Sequence, residues 1–147
     1  MSNTYSFLNV QATIVGPGGA FNIGQGAGIS EEGITIERAN DKGTMTIGAD
    51  GTGMHSLHAD KSGTLTVRLL KTSQQNAKLM AMYDLQTASS TLYGQNVITV
   101  TDTGSGDSTG CRGVGFKKAP TITYAKEGQM MEWAFNAIAI DSVLGTY

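Results

Sequence analysis

Apolar residues recur at every second position through most of this chain, and each run stops at a glycine-rich turn. "GITIER", "GTMTIGA" and "GTLTVRLL" alternate cleanly, a period that suits strands with one buried and one open face and does not suit a helix. Between them lie "ANDKG" and "GADGTG", both strong turn signals. In "GTLTVRLL" one face carries Leu65, Val67 and Leu69, and the other Thr64, Thr66, Arg68 and Leu70. The first stretch, "YSFLNVQATIVG", is expected to form a long strand whose alternation slips once, as a bulge would make it. "NVITVTD", "CRGVGF", "PTITYAKEG" and "MMEWAFNAIAI" extend the pattern. In the last of these Met131, Trp133, Phe135, Ala137 and Ala139 share one face, and Ala134, Ile138 and Ile140 sit on the other. Both faces are apolar, as in a strand covered on both sides.

One segment has helical spacing. In "TSQQNAKLMAMYDLQTAS" Thr72 and Gln75 match a capping box. Leu79, Met82, Tyr83 and Gln86 then form a stripe that Met80 and Ala81 widen. The expected fold is mainly β: a β-sandwich or squashed barrel of about eight strands with one flanking α-helix at about residues 73–88. It forms a single domain over residues 1–147, with an extended inter-strand segment at about 38–60.

Composition bounds what covers this fold. Only 15% of residues are charged, against roughly 25% in an average soluble domain, so part of the surface is expected to meet protein. The net charge is −2, which gives no overall pull toward nucleic acid or an anionic membrane. Twenty glycines beside two prolines fit many turns and bulges. The single cysteine, Cys111, rules out an internal disulfide and reads as a packed thiol in a reducing cytoplasm. No run is long enough for a membrane span, and the N-terminus lacks a signal-peptide pattern.

The stretch "DGTGMHSLHAD" holds both histidines, His55 and His58, between Asp50 and Asp60. Three residues apart, the histidines lie on opposite faces of a strand, and there is no third histidine or second cysteine to complete a zinc site. The acid spacing matches no calcium loop. "GQGAG" and "GSGDSTG" lack the Lys-Ser/Thr and the following helix of a phosphate cradle. Glu31 and Glu32 read as a solvated turn, and Lys117 and Lys118 are weak evidence for phosphate contact. No residue set supports an enzyme, and no cofactor or metal is implied.

"YSFLNVQATIVGPGG", "EEGITIE", "DKGTMTIGADGTGMHSLHADKSGTLTVRLLKTS", "GQNVITV", "FKKAPTITYAKEG", "MMEWAF" and "IDSVLG" together resemble the tail-tube proteins of contractile-tailed bacteriophages, from Tyr5 nearly to the C-terminus. That resemblance implies a structural virion protein, similar in fold to type VI secretion tube proteins. Six copies would close into a ring-shaped inter-subunit barrel, and rings would stack into a tube inside a contractile sheath, assembled in the host cytoplasm. The implied partners are the chain itself, the sheath protein, a baseplate or tube initiator, the tape-measure protein and the tail terminator. Phage DNA would pass through the lumen without sequence-specific binding.

The resemblance also directs attention to two residue sets. Met45, Ile47, Met54, His55, Leu57 and His58 are candidates for ring stacking and inter-subunit contact. Thr35, Thr64, Thr66 and Arg68 are candidates for the inner wall, where Arg68 would need an acidic neighbour or would face the outside of the barrel. Three other readings remain at this point. They are a monomeric β-sandwich binding module, a small metal enzyme built on His55 and His58, and a tube protein of a cellular contractile injection system.

Overall fold

A computed structural model describes residues 3–24, 26 and 28–147. β1 (Val10–Gly16) and β2 (Gly19–Asn22) form a hairpin, followed by β3 (Ile29–Arg38). A short hairpin of β4 (Gly43–Ile47) and β5 (Gly53–Leu57) leads to β6 (Gly63–Leu70) and the only α-helix among the described residues, α1 (Gln75–Thr87). β7 (Asn96–Asp102), β8 (Asp107–Lys118) and β9 (Met130–Val143) complete the chain. Seven strands form one antiparallel sheet in the order β2-β1-β7-β8-β9-β6-β3, and β4 and β5 pair only with each other.

The mainly-β class with one helix is as expected. The described residues form nine strands, and the large sheet does not close into a barrel. It is nonetheless strongly curved. β1 and β6 stand four places apart in the strand order, which on a flat sheet is about 19 Å. Yet Ala12 and Ile14 of β1 share one buried cluster with Leu65, Val67 and Leu69 of β6. The sheet therefore wraps its inward residues around a common core, and α1 fills the open side with Leu79 and Met82.

Aromatic packing joins the two layers. Phe116 lies 5.6 Å from Tyr83 of the helix, 6.0 Å from Trp133 and 5.0 Å from Phe135. Such tilted and edge-on contacts add to the stabilisation from buried area. The Trp133 indole donates to Asn76 Oδ1 at 3.0 Å, so the one polar atom of that ring is satisfied where the helix begins.

Four local expectations need correction. The helix is not capped by Thr72 and Gln75: its N-cap is Gln74, with no side-chain bond. Ser73 Oγ accepts from the Gln75 amide instead, and the Gln75 side chain reaches Asn22 O. The slip in the first strand is a 3-10 turn at Phe7–Asn9, held by Ser6, because the Ser6 hydroxyl captures an amide that a strand would use. "PTITYAKEG" is not a strand, because residues 119–129 have no strand beside them and 121–129 are exposed. In β9 the inward face passes from Ala137 to Ile140, not to Ala139. Its partners in β8 change face in step, Cys111 opposite Ile140 and Val114 opposite Ala137. Arg112 and Gly113 there bulge against the single Val97 of β7. Gly113 carries φ +60°, and a Cβ on it would lie 3.0 Å from Ile138.

Candidate functional site

Two surfaces gather the residues singled out in the sequence. The first is the outward face of β3, β6 and β9. The strand period turns Thr35 outward while Ile34 and Ile36 pack on the core. Register then sets Thr35 opposite Thr66, and Thr64 between Glu37 and Asn136. Arg68 stands opposite Glu132, with 3.6 Å between its Nε and Glu132 Oε2. Its Nη1 donates to Thr35 Oγ1 at 3.0 Å. All four wall candidates thus share one polar face, and the acidic neighbour that Arg68 required is Glu132. Sequence spacing could not have named it, because the pairing joins residues 64 positions apart through strand register.

The described charges on this face are Arg68, Glu132 and Glu37. β6 presents Thr64 and Thr66 there, and its single arginine is held by an acid and a hydroxyl. A surface of this kind offers phosphate no dense row of cations. β3 borders it as an edge strand, hydrogen-bonded to β6 on one side only, so unpaired backbone groups lie along its other side.

The second surface is the β4–β5 arm. Its register pairs Met45 with His55, Ile47 with Gly53 and Gly43 with Leu57 on one face. Thr44 with Ser56 and Thr46 with Met54 form the other. One face is therefore apolar and the other mostly polar. Met45 is 62% exposed, Ile47 55% and Leu57 83%, so no described part of the chain covers that apolar face. The six stacking candidates all belong to this arm or its base.

The aspartates flanking the histidines have structural tasks. Asp50 Oδ1 accepts from the Thr52 amide at 3.0 Å and shapes the arm's tip; that bond lowers its pKa. Asp60 ties the two legs of the arm together, accepting from Asn40 Nδ2 at 2.6 Å and from the Ser62 amide at 2.8 Å. Hydrogen bonds from Ser62 and Asn40 draw its pKa down to about 2. Arg38 Nη1 donates to Ile140 O and anchors the arm's root to β9. His58 Nε2 lies 3.5 Å from Thr44 Oγ1, on the face away from His55. The described residues contain no group of three or more metal-ligating side chains.

Glycine makes the root possible. A Cβ on Gly63 would collide with Glu37 O and with Ile140 Cδ1, so only glycine lets β6 start between β3 and β9 where the arm leaves. Cys111 is buried, and burial pushes its thiol pKa up, which keeps it in the inert thiol form. No helix among the described residues is long and apolar enough to cross a membrane.

The sequence and the fold have counterparts among known proteins. A family model described as the bacteriophage PhiTE tail tube protein matches residues 1–145. No curated protein matches the sequence. The fold is similar to a chain in the tube-terminating cap of the anti-feeding prophage, with a TM-score of 0.61 and 10% identity over 99% of this chain and 95% of that one. It is also similar to a chain in the extended sheath–tube complex of PVC, an extracellular contractile injection system (TM-score 0.60, 9% identity, 97% and 93% coverage). A chain of the anti-feeding prophage baseplate gives a TM-score of 0.58 at 12% identity, covering 97% of both chains.

Proposed function

The chain belongs to the bacteriophage PhiTE tail tube protein family, and from that premise we propose that it is the repeating subunit of a phage tail tube through which the genome leaves. Six copies close into a ring by completing one another's open sheet edges. The outward face of β3, β6 and β9 forms the inner wall, and the β4–β5 arm joins one ring to the next.

The observation that carries this reading is the open edge of β3 beside a threonine-bearing face whose one arginine is paired. Continuing the sheet from copy to copy satisfies the backbone groups of that edge and turns a curved open sheet into a closed wall. The same wall then presents Thr35, Thr64, Thr66 and the paired Arg68 to passing DNA. Binding there is not sequence-specific, and weak phosphate affinity lets the nucleic acid slide. In the virion tail the outer surface meets the sheath, and the tube ends meet the baseplate initiator and the tail terminator. The tape-measure protein occupies the lumen before DNA does. Likeness to chains of the anti-feeding prophage and PVC favours a second reading, a tube of a cellular contractile injection device, with the same assembly and a different cargo.

The test is negative-stain electron microscopy with light scattering on concentrated protein, alone and with a baseplate initiator. Rings or hollow tubes of uniform diameter are expected. A strict monomer under both conditions would leave a binding module and overturn the tube. Changing His55 and His58 together to alanine is expected to weaken ring stacking and leave folding and ring closure intact. One stoichiometric zinc that disappears in that double variant would restore the metal-enzyme reading.

A further inference from the structure

The large sheet narrows at one end, and both of its flanks are open there. β9 pairs with β6 over residues 130–137 and with β8 over residues 134–143. β7 follows β8 only as far as Val114, which lies opposite Asn96. Residues 115–118 of β8 therefore have no strand on their other side among the described residues. This short stretch and β3 are the two edges of one four-stranded set, β3-β6-β9-β8.

The β8 edge is not bare. β7 begins at Asn96, and just before it Gly94, with φ +78°, turns the chain away from the ladder. Tyr93 comes next to the gap that this turn leaves. Its Oη donates to Phe116 O at 2.6 Å, and its ring lies over Gly115, where a Cβ would come within 2.9 Å of Tyr93 Cζ. A side chain thus satisfies a carbonyl that a neighbouring strand would otherwise use. The cover is light. Tyr93 is 42% exposed, and a hollow of about 310 Å³ lined by Gln86, Thr87, Ser89, Ser90 and Tyr93 lies beside it. The ring has room to move aside without disturbing the core.

We propose that Tyr93 is a gate on the β8 edge: its phenol covers Phe116 O in the free chain and withdraws when the β3 edge of a second copy takes its place. This rests on the tube reading and goes beyond it, adding a control on when copies join. A bare strand edge pairs with any extended segment it meets. Here an incoming strand must offer Phe116 O an N–H in exchange for the phenol O–H. The exchange returns a hydroxyl to water and leaves no buried group unpaired, so its cost is about that of one hydrogen bond. A chance encounter through one or two bonds does not offset that cost. A partner that pairs along the whole edge does.

Two variants open the gate by different atoms. Tyr93→Phe keeps the ring and deletes the donor, whereas Gly115→Ala keeps Tyr93 and pushes its ring aside with a methyl group. Both are expected to lower the protein concentration at which rings first form, Tyr93→Phe by about fivefold, the factor that one net hydrogen bond corresponds to. Negative-stain microscopy across a dilution series reads that threshold, and circular dichroism identifies the variants that fold as wild type does. A threshold that fails to fall in either folded variant overturns the gate. The assembled tube gives a second readout. Near-atomic electron microscopy should show a neighbouring strand along residues 115–118 and the Tyr93 hydroxyl away from Phe116 O; a tube in which that bond persists overturns the inference. A wild-type chain that forms no rings, with or without an initiator, removes the tube reading itself, whereas rings whose threshold ignores Tyr93 leave the tube and remove only the gate.

Discussion

Asn96 and Gln86 form a reciprocal amide pair with no solvent exposure, and replacing Asn96 with alanine measures what holds the helix to the sheet. Gln86 Nε2 donates to Asn96 Oδ1 at 2.8 Å, and Asn96 Nδ2 returns a bond to Gln86 Oε1 at 2.7 Å. Gln86 Nε2 also donates to Pro17 O at 2.8 Å, so the pair links α1, the β1–β2 turn and the start of β7. Asn96→Ala removes two bonds, each worth about 1 kcal/mol net, and leaves the Gln86 carbonyl buried without a donor. The orphaned acceptor adds about 1–2 kcal/mol, for an expected loss near 3 kcal/mol. Gln86→Ala is expected to lose slightly more, because the Pro17 carbonyl loses its donor as well and the buried γ-methylene and carboxamide leave a cavity. The double variant should cost less than the sum of the singles by at least about 1 kcal/mol, since the second change removes groups already unpaired. Urea titration at protein concentrations below assembly reads this through Trp133, the only tryptophan, buried and bonded to the same helix. A loss under about 1 kcal/mol for Asn96→Ala, or strictly additive effects, would refute the argument, because a buried pair of this geometry cannot be both silent and uncoupled.

Gly113→Ala is expected to cost about 1–3 kcal/mol, since alanine must take a left-handed backbone and its Cβ meets Ile138 at 3.0 Å; a thermal melt within one degree of wild type would contradict this. Asp60 has a folded-state pKa near 2, below its ordinary 3.8, so its contribution is present above pH 4 and lost as pH falls toward 2. Amide exchange at Ser62 should therefore accelerate between pH 4 and 2 beyond the intrinsic change, and Asp60→Asn should remove that step. Cys111 should resist a thiol reagent in the native chain and react fully in denaturant; fast native labelling would mean that the β8–β9 core opens readily.

Much of the fold was legible because strand periodicity is local. Alternation in "GTLTVRLL" marked both the buried leucine–valine face and the polar face that now holds the wall candidates. The arm was visible in the same way, as two short alternating runs around "GADGTG". The helix was found from its stripe, although its cap was misassigned: Ser73 offered a closer acceptor than Thr72. "TITY" alternates as well as any strand in the chain, yet it pairs with no strand among the described residues. Alternation reports what a segment could bury; pairing depends on which backbone lies beside it.

By itself, then, the sequence determined the β class, the single helix and the face on which most strand residues lie, because each follows from spacing along a few residues; where a bulge shifts the register, as at Ala139 and Ile140 of β9, it did not. It also determined that the two histidines stand apart on a strand-like segment. Tertiary structure alone decided that Glu132 neutralises Arg68, that Asp60 clamps the arm and that Leu70 and Met130 meet at the end opposite the arm. It also decided that β3 is left as an open edge. Each of these joins residues distant along the chain, and strand order and register are set by the packing of the whole core.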